Sequence, residues 1–273
     1  MLKRRFELIM RVKHDFHIHT SLSYCAKKEA TFEYYQNIAK ELNFEKIGFS
    51  DHLWDDAYEQ VWPSFYKGQN VARVMRLKDI IHDFDNVKVY LGCEAEYDPL
   101  IKGVALTEKN AERFDFINVP ISHTHMIMPK EYYEPMEKHK DFMLNAWNEV
   151  MNCPVTKYIK AIVHPFSAVC CPYGTAPLFN LITDDEYKFA FDQAAEKGIA
   201  IEINMGEFYN RTEQEIPNLP VVRMFRIAKD CGCKFVFGSD SHGVGGHKDY
   251  VEHGELVTNM LGITEDDIAN YAK

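Results

Sequence analysis

The chain has 273 residues, 46% of them hydrophobic and 26% charged, the composition of an ordinary globule with a sizeable core and the length of one α/β barrel. No apolar run approaches membrane-crossing length, and Phe6 to Met10 is too short for a signal-peptide core and has no small-residue cleavage site behind it. A net charge of −10 lacks the basic footprint that non-specific nucleic-acid binding needs, so an anionic substrate has to be drawn locally, by metal or by a few Lys and Arg.

The default expectation is therefore a cytoplasmic protein. Met10 offers an alternative start that would make residues 1–9 a dispensable extension. The seven cysteines, with Cys170 and Cys171 adjacent, fit neither a zinc-finger spacing nor a secreted disulfide framework and read as reduced thiols. Nothing in the sequence sets the oligomeric state.

In chain order, seven short apolar runs read as strands: 12–18, 45–50, 87–93, 115–121, 160–163, 198–203 and 234–238. Runs such as Lys160-Ala-Ile-Val163 and Lys234-Phe-Val-Phe237 are nearly continuous in apolar residues, the pattern of strands buried on both faces. Between them the spacing predicts helices. One spans 31–43, opening at Thr31. A second spans 70–84, with Val71, Val74, Leu77, Ile80 and Ile81 on one stripe. Others span 136–151, 184–197 and 219–231, and Gly198 and Gly232 supply C-terminal stops. The chain ends in helices over 248–261 and 264–272, the latter started by Thr264 and three acids. Strand and helix alternate over the whole length without repeats or linkers, which implies one parallel sheet with right-handed crossovers over residues 1–273. Seven units suggest a closed or nearly closed barrel, and no Gly-x-Gly-x-x-Gly follows any strand to support a dinucleotide fold.

Functional residues of such a barrel gather at the C-terminal ends of its strands. All seven predicted ends carry His, Asp or Glu: His17 and His19; Asp51 and His52; Glu94 and Glu96; His123 and His125; His164; Glu202; Asp240 and His242. Residues two apart on a strand share a face, so His17 and His19 project together. A single such histidine is ordinarily a satisfied loop residue. Seven of the twelve histidines falling at strand ends point instead to a multinuclear metal site.

These residues resemble the PHP superfamily, named for polymerase and histidinol phosphatase. The matching motifs are His17-x-His19-Thr20, Ser50-Asp51-His52, Gly92-x-Glu94, Ser122-His123, His164-Pro165 and Gly238-Ser239-Asp240-Ser241-His242. The resemblance spans nearly the whole chain. It implies a distorted, TIM-like (β/α)₇ barrel holding two or three divalent transition metals (zinc, iron or manganese), and a phosphatase. By motif, His17, His19, Glu94 and Asp240 hold a first metal. Glu94, His123 and His164 hold a second, with Glu94 bridging, and His52 and His242 hold a third. Cys25 stands where the family places a further third-site histidine, and it is either a thiolate ligand or a small buried thiol. His125 competes with His123, which the Ser-His motif favours. Glu202 and Asn204 read as supporting residues behind the ligands.

Imidazole mixed with carboxylate suits borderline divalent ions. A bridging carboxylate such as Glu94 can hold two metals about 3.5–4 Å apart, an arrangement that would supply an activated water near neutral pH for in-line attack. Asp240 or His242 could then shuttle the proton to the leaving alkoxide, although a residue occupied by metal does not serve freely as an acid. Two loops would overhang the site: 53–69, with Trp54, Tyr58, Trp62, Phe65 and Tyr66, and 126–135, with Met126, Met128, Tyr132 and Tyr133. They either stack on an aromatic or imidazole-like substrate group or form their own small cores. Lys27, Lys28, Arg211, His247 and Lys248 are the candidate phosphate anchors. The expectation is a metal-dependent phosphomonoesterase acting on a small organic phosphate, with histidinol phosphate, and hence histidine biosynthesis, the first candidate. The alternatives are a nucleotide phosphatase or phosphodiesterase using the same metals, or a non-catalytic metal-bound binding module. A metal-dependent amidohydrolase would want a strand-end lysine, and no end offers one in a ligand position.

Overall fold

A computed structural model describes residues 10–168 and 171–273, so residues 1–9 and Cys170 lie outside the described residues. Seven parallel strands form the main sheet: β1 (His14–Ile18), β2 (Lys46–Phe49), β3 (Lys88–Ala95), β4 (Phe116–Pro120), β5 (Ile159–Val163), β6 (Ala200–Asn204) and β7 (Phe235–Gly238). They lie in sequential order, with a two-residue segment, His52–Leu53, added beside the end of β3. The strands are almost entirely buried on both faces, which is why their sequences lack polar alternation.

The barrel is nearly closed. No ladder joins β7 to β1. They meet through an isolated bridge between Ile18 and Ser241 and a bond from His19 N to Ser241 O of 2.9 Å. Lower down, Phe237 N donates to the His14 ring at Nε2, 3.0 Å away. The interior below the mouth is filled by Phe16, Phe116 and Tyr271. Phe16 meets Phe116 edge-on at 5.2 Å and Tyr271 at 5.0 Å. Gly48 and Gly92 make room for this cluster, because a Cβ at either position would collide with the Phe116 ring.

The surrounding helices follow their start and stop signals. They are α1 (Phe32–Glu41), α2 (Met136–Met151), α3 (Thr175–Leu181), α4 (Asp184–Lys197), α5 (Pro220–Asp230) and α6 (Tyr250–Leu261). Thr31 caps α1 through Tyr34 N, Thr183 and Glu186 form a capping box on α4, and Gly198 ends α4 in the left-handed conformation. Trp147 of α2 stacks on Phe166 and donates to Ala190 O of α4, tying two helices to the barrel. No helix among the described residues is long and apolar enough to cross a membrane, and the six described cysteines form no disulfide.

Two predicted helices are corrected. Over 70–84 there is one α-turn, Val71–Val74, then a 3-10 segment, Met75–Asp79. Beyond it Asp83 accepts Val89 N at 2.9 Å, drawing the backbone into β3 instead of extending the stripe. Over 264–272 only Glu265–Asp267 is helical, as a 3-10 turn. Ala269 N donates to Phe235 O, and Tyr271 plugs the barrel interior, so this segment is spent closing the floor. The sequence pattern also missed α3.

The clearance at Gly92 has a measurable cost. Gly92→Ala is expected to destabilise the metal-free protein by about 1–3 kcal/mol, the range for overpacking a filled core. Urea or thermal unfolding reads this directly, and an unchanged midpoint would contradict the packing of Phe116.

Candidate metal centre

Strand ends at the barrel mouth deliver nearly all of the predicted side chains to one buried cluster. β1 is bulged between Asp15 and Ile18, and the chain beyond it carries His17 and His19, both fully buried. Their Nε2 atoms lie 3.1 Å apart, and Asp240 Oδ1 is 3.5 Å from the first and 3.1 Å from the second. The opposite ring nitrogens are already engaged. His17 Nδ1 reaches Glu202 Oε1 at 2.7 Å. His19 Nδ1 reaches Ser23 Oγ at 3.1 Å, while that hydroxyl donates to Asp51 Oδ1 at 2.6 Å. With Nδ1 of each ring engaged in this way, both Nε2 atoms converge with a carboxylate on one point, where a cation would replace the proton shared between them.

Glu94 stands at the centre. Its Oε1 lies 3.0 Å from His164 Nε2 and 3.6 Å from His17 Nε2. Its Oε2 lies 2.9 Å from His52 Nδ1 and 3.5 Å from His19 Nε2. Despite that proximity Oε2 has no hydrogen bond of acceptable direction, a buried carboxylate oxygen left unsatisfied. Four overlapping groups bring possible ligand atoms within 4.8 Å of one another: His17, His19 and Asp240; His17, Glu94 and His164; His52, Glu94, Glu96 and His123; and His19, His52 and His242. The donor set fits divalent transition ions.

The groups differ in detail from the motif-based expectation. His164 joins His17 and Glu94, whereas His123 joins His52 and Glu96. His125 belongs to none of these groups, its ring centred 6.0 Å from that of His123. Cys25 is exposed at the rim. Burial raises its thiol, but contacts with His242 and His52 outweigh that and bring it down to about 6. His242 stacks on His19 with ring centroids 4.1 Å apart, and its Nδ1 faces Asp240 O at 2.8 Å.

Glu96 is the residue that the motifs did not single out. It is fully buried beside His52 and His123. Its signal was present in Glu94-Ala95-Glu96, since a Glu-x-Glu pair on a strand presents both acids to one face. Glu202 lies behind His17 as expected. Its Oε2 also accepts His164 N at 2.6 Å and Asn204 Nδ2 at 3.1 Å. Gly238 leaves space for that carboxylate, because a Cβ there would strike both Glu202 and His17.

Of the proposed anchors, Lys27 lies beside the cluster. With Asp240, His242, Tyr209 and the Gly243–Gly246 loop it lines a cleft of about 350 Å³. Its ammonium donates to Val244 O at 3.2 Å. His247 is corrected to a structural position: it is buried, with Nε2 2.7 Å from Asp15 Oδ2. Lys248 is exposed and faces Asp249 at 4.0 Å. Arg211 and Lys28 are exposed, and the Arg211 charge acts on Glu207. In the 53–69 loop, Trp54 and Tyr66 are buried against each other, while Phe65 stands edge-on to His52 at 5.8 Å with Trp62 stacked on its outer face. Of the second loop, Tyr132 packs on Phe142 of α2.

The charges are mutually compensating. Burial alone would lower His17, His52, His164 and His242, but the surrounding Glu94, Glu202 and Asp240, and Cys25 for His52 and His242, hold all four above the ordinary imidazole value. Burial raises Glu94 and Asp240, and the neighbouring imidazoles outweigh it, holding both well below the usual carboxylate range. His19 is pushed well down by burial and by the charges of His242 and His52.

Residues 15–206 match the family model described as PHP domain. No curated protein matches the chain in sequence. The fold is similar to the crystal structure of histidinol phosphate phosphatase from Lactococcus lactis in complex with zinc, L-histidinol and phosphate. That match has a TM-score of 0.61 at 16% identity and covers 91% of this chain and 94% of the other. It is similar also to the putative histidinol phosphatase of Listeria monocytogenes, with a TM-score of 0.62 at 13% identity, covering 87% of this chain and 100% of that one.

The charge arrangement sets a pH dependence. In the metal-free protein the imidazolium contribution is present below the ordinary value of 6.5 and is lost as pH rises through the raised values. The carboxylate contribution is present above the ordinary 4.5 and is lost as pH falls through the depressed values. Metal needs neutral imidazoles and must displace those protons. Apparent Zn²⁺ affinity is therefore expected to rise between about pH 6 and about pH 8, with proton release detectable by calorimetry in buffers of different ionisation enthalpy. An affinity independent of pH would contradict this arrangement.

Proposed function

The chain belongs to the PHP domain family, and on that premise we propose that it is a metal-dependent phosphatase that hydrolyses small organic phosphomonoesters. The observation that carries this reading is Glu94: one fully buried carboxylate, with its two oxygens turned to different imidazoles and one of them unsatisfied. His17, His19, Glu94 and Asp240 would hold one metal, Glu94 with His123 and His164 a second, and His52 with His242 and Cys25 a third. Zinc, iron and manganese suit this donor set. Bound there, such metals supply an activated water at neutral pH and offset the charge that develops on the phosphoryl oxygens.

The protein's own groups do the rest. Glu202 and Ser23 keep the protons of His17 and His19 on Nδ1, so that Nε2 faces the reacting centre. Ser122 Oγ does the same for His164 Nδ1 at 2.5 Å. Asp240 and His242, each about one-third exposed, stand at the mouth where the leaving alkoxide would depart; His242, held above the ordinary imidazole value, is the one that would return a proton to it when no third metal occupies its ring. Lys27 supplies a cation beside them. Phe65 and Trp62 offer an aromatic wall beside His52 for the organic part of the ester.

Histidinol phosphate is the first ester to test. Its imidazole suits that wall, and the chain shares its fold with a phosphatase crystallised with L-histidinol and phosphate. A cytoplasmic setting agrees with unpaired thiols among the described residues.

Metal-reconstituted protein is expected to release phosphate from a panel of small monoesters, and Glu94→Gln to lower that release about a thousand-fold or more, the several kcal/mol that such metals supply. Wild-type release in Glu94→Gln would sink the assignment. Release only from diesters or nucleotides would move it to that class. Cys25→Ser is expected to lower bound metal by one equivalent in elemental analysis, and an unchanged metal content would remove Cys25 from the ligand set.

A further inference from the structure

Glu96 is a buried carboxylate that the reaction as described does not use. It lies immediately after β3, two residues beyond Glu94, with no exposed surface. Its main chain is fixed on both sides, because Glu96 N donates to Leu53 O at 3.2 Å and Ala105 N donates to Glu96 O at 2.7 Å. The side chain meets two histidines from different strand ends through the same ring atom of each. His123 Nδ1 is 3.2 Å from Oε1 and 3.0 Å from Oε2, and His52 Nδ1 is 3.2 Å from Oε1.

The direction of these contacts matters. Glu94 has an oxygen without a hydrogen bond, whereas both oxygens of Glu96 accept one. The carboxylate has no proton to give, so the hydrogens in these bonds sit on Nδ1 of the two imidazoles. A neutral imidazole with its proton on Nδ1 has its lone pair on Nε2. For His123 that atom is turned toward Glu94 Oε1, 3.7 Å away. For His52 the ring lies against His19 and His242, at centroid distances of 4.5 and 5.9 Å.

We infer that Glu96 is a positioning residue shared by two metal positions: its single carboxylate fixes the tautomer and ring orientation of both His52 and His123, so that their Nε2 atoms face different metals. The inference rests on the phosphatase reading for its purpose, but its geometry concerns metal binding alone. A carboxylate behind a ligand histidine is worth about 10–100-fold in metal affinity. Here one side chain serves two ligands, so its loss weakens two positions together and leaves the His17, His19 and Asp240 position intact.

The test is calorimetric titration of metal-free protein with Zn²⁺, comparing wild type, Glu96→Gln and Glu96→Asp, with thermal unfolding of each metal-free protein alongside. An amide keeps one acceptor oxygen but sets an N–H against a ring N–H: with its oxygen at the place of Oε1, its N–H faces His123 Nδ1 where Oε2 accepts at 3.0 Å, and flipped, it faces both rings. Glu96→Gln is therefore expected to retain its metal-free unfolding midpoint and one tight site, and to bind the remaining equivalents about 10–100-fold more weakly. Glu96→Asp, which restores the carboxylate on a shorter arm, is expected to recover part of that loss. Three results would overturn the inference: wild-type affinity in Glu96→Gln; loss of one whole equivalent with the others unchanged, which would make Glu96 a ligand; and uniform weakening of all sites with a lowered midpoint, which would make its role structural. Because metal binding is read without substrate, failure here leaves phosphate release, and the phosphatase reading, to stand or fall separately.

Discussion

Everything at the mouth of this barrel answers to the burial of carboxylates. Glu94, Glu96 and Glu202 have essentially no exposed surface, and Asp240 closes over them. Unpaired, each would cost several kcal/mol to keep ionised in such surroundings. The chain meets that cost with a shell of imidazoles, and the imidazoles are held by a further shell: Ser23 and Asp51 behind His19, Ser122 behind His164, and Asp15 under the backbone of His17. The local backbone yields to the same demand. Asp240 and His164 sit at positive φ, 53° and 31°, conformations that surrounding contacts must enforce. A metal adds the one ingredient that the side chains alone lack, a multiple positive charge at the point where the lone pairs converge.

Much of this was legible in the sequence because two simple periodicities coincide. Buried parallel strands announce themselves as apolar runs, and barrel geometry places chemistry at their ends, so His17, His19, His52, Glu94, His123, His164, Asp240 and His242 could be collected from strand ends alone. What was illegible depended on side-chain reach across the fold. Glu96 was visible as one of a pair, but only its approach to His52 and His123 from neighbouring strand ends distinguishes it from an ordinary strand-end acid. His247 looked like an anchor because it follows β7 closely, yet the loop turns it inward onto Asp15. The stripe from Val71 to Ile81 had the right period for a helix and lost to a local competitor, the Asp83 carboxylate capturing Val89 N. At the C-terminal end, capping chemistry at Thr264 started a turn that the barrel floor then consumed for pairing with Phe235.

The same reasoning explains why a fold can be shared at 13–16% identity with proteins of nearly equal extent. The barrel asks most of its positions only for apolar bulk of roughly the right volume, and such cores tolerate extensive exchange. The mouth asks for specific atoms at specific places, and few residues supply them. Gly92 and Gly238 belong to the demanding class although they carry no chemistry, since the first clears the Phe116 ring and the second the Glu202 carboxylate.

The seam between β1 and β7 has a consequence for how the molecule is assembled. The first strand and the last are joined by little backbone pairing, and their meeting point, from Ile18 and His19 to Ser241, carries the ligand candidates of both strands. Contacts between segments more than two hundred residues apart form late, because the intervening chain must first be ordered. An ion gripped by His17, His19 and Asp240 would act as a clasp across that joint, so that its binding energy becomes ring-closure energy. In its absence, the two terminal strands are the natural place for the ring to breathe, and their amide hydrogens should be the first of the barrel to exchange with water.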